Sequence, residues 1–208
     1  DWAAGQDVDF VAVTGDLLSR TRGEEGLRAA VRRLRSRHGT YVVLGNHDVG
    51  FTRDPFSTAS ELGGLDPDGA VLLRDRSAVV EVGGARIQIV GADPATFLAG
   101  TTSLEELRDA DADLRVLLCH FPRAVDRLPR GAYELVLAGD VHGGQICLPR
   151  PGGKVRFGGF RQPYPEGVFE LPGTTLVVSR GTGTAFVPFR FFARPEAAIL
   201  VLRPQARG

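Results

Sequence analysis

The sequence predicts a layered α/β fold, two mixed β-sheets packed face to face with helices outside. Three observations point there. In the first half, short apolar runs alternate with an amphipathic helical stretch. In the second half the apolar runs follow one another and read mostly as strands. Four of the runs end in polar side chains able to bind metal or move protons, and in open α/β sheets sites form at the carboxyl ends of strands.

Residues 9–13 are a short apolar run closed by Thr14-Gly15-Asp16, a buried strand ending in a loop. Residues 24–37 read as a helix with Leu27, Val31 and Leu34 on one face and arginines and glutamates over much of the rest. Gly39 should stop it, and His38 at its end complements the helix dipole as a structural residue. A second buried strand, 41–44, is closed by Gly45-Asn46-His47-Asp48. Another helix is expected to begin near Asp54-Pro55, where Asp can cap and Pro suits the first turn. Residues 79–90 look like a hairpin turning at Gly83-Gly84. Residues 115–119 form an apolar strand that delivers His120, and 135–138 do the same for Gly139-Asp140-Val141-His142. The Gly- and Pro-rich stretch 149–165 reads as a long loop, and 176–179 and 198–202 as closing strands.

A chain of 208 residues, 43% hydrophobic and 24% charged, suits one large domain spanning 1–208. Its 25 basic and 25 acidic residues cancel, which argues against a nucleic-acid surface driven by bulk charge. Cys119 and Cys147 sit in or beside apolar runs, so buried free thiols are favoured over a disulfide. No apolar run reaches the roughly 18–20 residues of a membrane span, and no signal peptide is present. The chain has no methionine; the expectation is that it lacks its own start and that whatever preceded Asp1, any anchor or signal included, has been cut away.

Three of the four histidines, His47, His120 and His142, follow buried strands directly. Emptying four strands onto one edge would bring Asp16, Asn46, His47, His120, Asp140 and His142 together. Asp, Asn and His donors suit divalent Mn, Fe, Zn or Mg. Two ions ~3.5–4 Å apart can activate water and stabilise a leaving oxygen. A histidine free of metal can protonate that leaving group.

Gly15-Asp16, Gly45-Asn46-His47-Asp48, the isolated His120 and Gly139-Asp140-Val141-His142 resemble, in order and spacing, the motifs of the calcineurin-like metallophosphoesterases. The resemblance implies a four-layer α-β-β-α sandwich and a dinuclear phosphohydrolase cleaving phosphodiesters or pyrophosphates. It implies that Asp16 bridges two divalent metals, that Asn46, His120 and Asp140 complete the second site, and that His142 binds the first. It implies His47 as general acid, with Asp48 either orienting its loop or making an ordinary cap. The tail, with Ser179-Arg180-Gly181-Thr182-Gly183-Thr184, Pro188, Arg190 and Arg194-Pro195-Glu196, resembles a bacterial subgroup often found with an N-terminal membrane segment. Some of its members act on UDP-2,3-diacylglucosamine, a nucleotide-linked lipid precursor. A phosphate-ester substrate, and membrane association through an upstream segment, are the partners so implied.

The sequence departs from the pattern in three places. The family's opening Asp-x-His is absent, as truncation of the first strand would explain. Asp140 stands where a histidine is usual, giving a harder oxygen ligand. Ser19 replaces a second Asp found in some members, and Arg20 beside it either contacts phosphate or is a solvated surface arginine. Gly143-Gly144 either lets a ligand approach or only permits a turn. Arg180, Arg190 and Arg194 form either an anion site or ion pairs with acids such as Glu196. The rival to a hydrolase is a degenerate domain of the same fold serving as a protein-interaction scaffold.

Overall fold

The computed structural model describes residues 2–52, 54–55, 57, 62, 69–159 and 161–203. Strands β1 (Val11–Thr14), β2 (Thr40–Val43) and β3 (Ala70–Leu72) form a three-stranded sheet in the order β1-β2-β3, parallel throughout. A mixed six-stranded sheet has the order β10-β11-β7-β6-β5-β4. Its members are β4 (Arg76–Val82), β5 (Ala85–Gly91), β6 (Leu114–Leu118), β7 (Leu135–Ala138), β10 (Gly167–Leu171) and β11 (Thr174–Val178). Strands β5, β6, β7 and β11 run parallel, and β4 and β10 are antiparallel edges.

Alternation along each strand builds the layers. Tyr41 and Val43 of β2 face inward and pack with Ile87, Ile89, Val116, Leu118 and Leu137 of the larger sheet. Val42, between them, faces outward against Val31 and Leu27 of helix α1 (Glu24–Arg33). On the far side of the larger sheet, Val90, Leu117, Val136 and Leu176 pack with Phe97 of the short helix α2 (Pro94–Ala99). Asp93 caps α2 by accepting from the Ala95 amide at 2.8 Å, with Pro94 in its first turn. The order helix, sheet, sheet, helix is the α-β-β-α sandwich expected.

Local details differ from expectation for identifiable reasons. Helix α1 ends at Arg33, not Arg37, because the following main chain is recruited by the segment leading into β1. The amides of Arg37 and His38 donate to the carbonyls of Val8 and Asp9 at 3.2 and 2.7 Å. His38 therefore lies in this connection and not at a helix end. At the helix expected near Asp54-Pro55, the Ser57 amide reaches the Asp54 carbonyl at 3.1 Å in one turn; most of the following residues lie outside those described. The Asp54 carboxylate accepts the Phe186 amide at 2.9 Å. The Gly83-Gly84 hairpin forms as expected, both glycines at positive φ.

The stretch 149–165 is not one long loop. Strands β8 (Cys147–Arg150) and β9 (Gly153–Arg156) form an antiparallel hairpin that enters it from Cys147, and its turn includes Gly152 at φ 76°. Residues 198–202 belong to no sheet among the described residues, and Ile199, Leu200, Val201 and Leu202 are exposed. An apolar run signals surface to be covered, but a strand also needs a partner edge. Both cysteines are free and buried, and burial pushes the Cys119 thiol up to about 12.

Candidate active site

The loops after β1, β2, β6 and β7 meet at the carboxyl ends of strands drawn from both sheets. Two glycines allow the meeting. A Cβ at Gly15, whose φ is 93°, would lie 2.6 Å from the Gly45 nitrogen. A Cβ at Gly45 would lie 2.1 Å from Asp16 Oδ1. No other residue fits either position. Asp16, Asp140 and His142 hold positive φ of 54°, 68° and 53°. Such backbone is uncommon for non-glycine residues, though less so for Asp and His, and it concentrates at functional sites.

Asp48 fastens the first two loops together. Its Oδ1 accepts the Leu17 and Leu18 amides, each at 2.9 Å, and its Oδ2 accepts the Gly45 amide at 2.8 Å. The side chain is fully buried. Burial pushes its carboxyl up, while the amides of Gly45, Leu18 and Leu17 act in the opposite direction. The resemblance left Asp48 either orienting its loop or making an ordinary cap. Its carboxylate is occupied by main-chain amides, so its geometry is that of a positioning residue.

His120 lies at the centre. Its Nδ1 is 2.7 Å from the Thr14 carbonyl oxygen, which can only accept, so Nδ1 carries the hydrogen. Its Nε2 faces three side-chain oxygens: Asn46 Oδ1 at 3.1 Å, Asp16 Oδ1 at 3.4 Å and Asp140 Oδ1 at 3.7 Å. Burial would lower the His120 pKa, but Asp16 and Asp140 outweigh it and raise it to about 9. Burial would likewise raise Asp16, yet the facing histidines hold its carboxyl well below the ordinary carboxylate range. Asp140 is pushed up, chiefly by burial. His142 Nε2 is 3.8 Å from Asp16 Oδ2, so one carboxylate lies between two imidazoles.

The donor set suits a divalent cation in chemistry: imidazole, carboxylates and a carboxamide around one point. Two donors each ~2.1 Å from one ion lie about 3.0 Å apart at right angles and about 4.2 Å apart when opposite. The three oxygens facing Nε2 fall in that range. The set depends on Asn46, with Asp140 outermost. Among the described residues no three His, Cys, Asp or Glu side chains form a metal-holding group by themselves.

His47 stands apart from that set. Its amide donates to Asp16 Oδ1 at 3.1 Å, while its ring lies between Thr52 Oγ1 and Ser57 Oγ, each at 3.2 Å. Phe186 packs edge-on to the ring at 6.4 Å. Sequence reasoning missed Thr14, Thr52, Ser57 and Phe186. The first acts through its carbonyl, the next two are ordinary loop hydroxyls, and Phe186 is remote in sequence, so no local pattern marks them. Arg20 is half-buried on the loop beyond Leu18, where its carbonyl accepts the Gly23 amide at 3.0 Å.

Of the arginines weighed as an anion site, Arg180 pairs with Glu196 at 2.5 Å. Arg190 is turned to the main chain and to His142. It donates to the carbonyls of Arg180 and Gly183, each at 2.7 Å, and to His142 Nδ1 at 3.1 Å. Gly143 and Gly144 leave room for side chains: a Cβ there would lie 2.6 Å from Arg180 Cγ and 2.7 Å from Arg156 Cβ.

Residues 1–144 match the family described as calcineurin-like phosphoesterase. The chain is 28% identical to the uncharacterized metallophosphoesterase YkoQ of Bacillus subtilis, over 92% of this chain and 71% of YkoQ. It is 28% identical to YkuE of the same organism, over 94% and 68%. It is 30% identical to a transmembrane protein with metallophosphoesterase domain from Bos taurus, over 94% of this chain and 46% of that protein. Among solved structures, Haemophilus influenzae NAD nucleotidase matches with a TM-score of 0.43 and 14% identity, covering 83% of this chain. The chain spans 40% of that structure and 47% of a Staphylococcus aureus putative 5'-nucleotidase matched at a TM-score of 0.46 and 11% identity.

Proposed function

Because the chain belongs to the calcineurin-like phosphoesterases, hydrolases of phosphoric esters, we infer that it cleaves phosphodiester or pyrophosphate bonds by attack of water at phosphorus. A nucleotide-linked lipid precursor is one substrate class this reading includes. Asp16, Asn46, His120 and Asp140 hold one divalent ion, and Asp16 and His142 contribute to a second. Bound divalent ions supply the charge that makes water acidic and offsets phosphate charge.

The chain's own residues do the rest. Thr14 fixes the His120 ring so that Nε2, once deprotonated, offers its lone pair to an ion held among the Asn46, Asp16 and Asp140 oxygens. Asp48 holds the loops of Asp16 and His47 in register through their main chains. His47, which is outside the ligand set, donates a proton to the leaving oxygen, and Thr52 and Ser57 hold its ring in place. Arg20, on the adjoining loop, contacts substrate phosphate.

The observation that carries this reading is the convergence of Asn46, Asp16 and Asp140 oxygens on His120 Nε2, whose tautomer is set by Thr14. The test is hydrolysis of bis-p-nitrophenyl phosphate with added manganese, comparing His47→Ala and Asp16→Asn with the unsubstituted protein. His47→Ala should lower turnover about 10²–10⁴-fold, the usual contribution of a general acid, with bound metal retained. Asp16→Asn should lose metal and activity together. If His47→Ala strips metal as thoroughly as Asp16→Asn, the division of roles is wrong.

A further inference from the structure

The β8–β9 hairpin is inverted relative to an ordinary surface hairpin. Its register pairs Leu148 with Val155, and the Phe157 amide extends the ladder to the Ile146 carbonyl at 2.9 Å. Ile146 also bridges Phe191 in parallel register. Cross-strand partners, and residues two apart on a strand, share a face. Ile146, Leu148, Val155, Phe157 and Phe191 therefore lie on one face, and Leu148, Val155, Phe157 and Phe191 are 46–60% exposed. Phe192, 57% exposed, packs edge-on against Phe191 at 4.8 Å. Lys154 and Arg156 are on the other face, where they meet Glu166 at 2.6 and 2.7 Å. A hairpin that turns Lys154 and Arg156 inward and its apolar residues outward presents a surface to be covered.

The charge around this face indicates what covers it. The chain is neutral as a whole, yet residues 141–165 contain no Asp or Glu and carry Arg150, Lys154, Arg156 and Arg161. Residues 171–195 also contain no Asp or Glu and carry Arg180, Arg190 and Arg194. Glu166 and Glu196 offset part of this charge. Of the basic residues, Arg150 shares the apolar face with Leu148 by register and is exposed, while Lys154 and Arg156 line a recess on the other side. A second copy of the chain docked symmetrically would set like charges opposite one another. An anionic bilayer supplies both complements, acyl chains for the aromatics and headgroup charge for the cations.

We propose that this face, built from the β8–β9 hairpin and the Phe191–Phe192 segment, docks peripherally on an anionic lipid surface. The same segment runs back through Phe186 to His47 and through Arg190 to His142, so docking sets the candidate active site beside lipid headgroups. This interaction is separate from any membrane-spanning segment; among the described residues no helix is long and apolar enough to cross a membrane.

Co-sedimentation with vesicles of phosphatidylcholine, alone or mixed with phosphatidylglycerol, tests it without reference to hydrolysis. The protein should partition onto the mixed vesicles, bind pure phosphatidylcholine far more weakly, and dissociate as salt screens the charge. Exchanging Leu148→Gln, Val155→Thr and Phe157→Gln together should weaken partitioning about tenfold or more. Arg150→Gln and Arg194→Gln should each weaken it roughly fivefold. A Phe157→Trp variant, read against Trp2 alone, should shift its emission to the blue on mixed vesicles and report docking even if the triple variant misfolds. The proposal is overturned if the protein ignores phosphatidylglycerol, or if the emission of the Phe157→Trp variant stays unshifted. It is overturned equally if the unsubstituted protein is a dimer that the triple variant splits, or if the face instead captures an acidic protein while vesicles go unbound.

Discussion

The Nδ1–H of His120 donates to the carbonyl oxygen of Thr14 at 2.7 Å, across 106 residues of sequence. This bond ties the end of β6, in the larger sheet, to the end of β1, in the smaller one. It also sets which ring nitrogen faces Asn46, Asp16 and Asp140. Without a metal, a proton on Nε2 satisfies those oxygens, which is why the His120 pKa is raised to about 9.

That bond makes a prediction for the metal-free protein. A histidine whose folded pKa lies above its unfolded value of 6.5 stabilises fully below pH 6.5. The contribution is lost as pH rises through 9. With a chelator present, urea unfolding should show stability falling by roughly 1–3 kcal/mol between those limits. His120→Gln should flatten the profile. A slope unchanged by that substitution would contradict the assignment.

Asp48 should matter through the fold and not through proton transfer. Asp48→Ala leaves the amides of Leu17, Leu18 and Gly45 without their buried acceptor and should cost about 3–5 kcal/mol. Asp48→Asn keeps one acceptor oxygen and should cost less. Urea midpoints give the order, and the pH–rate profile of whichever variant folds should keep the shape of the unsubstituted enzyme. A changed profile would make Asp48 part of the chemistry.

Gly45→Ala should disable the site more than its size suggests. The new methyl would sit 2.1 Å from Asp16 Oδ1 and 2.4 Å from the Asp16 nitrogen. The loops must part, at a cost of about 2–4 kcal/mol. Gly5→Ala, where a Cβ meets nothing within 4 Å, is the control and should be neutral. Comparable thermal midpoints for the two would show that the loops yield freely.

The strands that carry Asp16, Asn46, His120 and Asp140 were legible because buried parallel strands write themselves as continuous apolar runs. Each run stops where its polar loop begins. What the sequence did not reveal was decided between distant segments. The end of α1 at Arg33 depends on Val8 and Asp9 claiming the amides of Arg37 and His38. The β8–β9 hairpin was hidden by glycines and prolines that form its turn and flanks. The apolar run at 198–202 matches a strand pattern, but pairing depends on a neighbouring edge, which a run does not encode. Arg190 was recognised as notable, yet its partners at His142, Arg180 and Gly183 could be known only once the tail had folded back onto the loop after β7.

The central claim is that the loops at the carboxyl ends of β1, β2, β6 and β7 form a divalent metal site around His120 Nε2. Equilibrium manganese binding to the purified protein and to Asp16→Asn, by titration calorimetry, tests it most directly. The account predicts saturable binding to the unsubstituted protein, with protons released as the ion displaces the one on His120. Binding to Asp16→Asn should be at least about 100-fold weaker, the loss expected when a ligating carboxylate loses its charge. Equal affinities for the two proteins, or no saturable binding to the unsubstituted one, would contradict it.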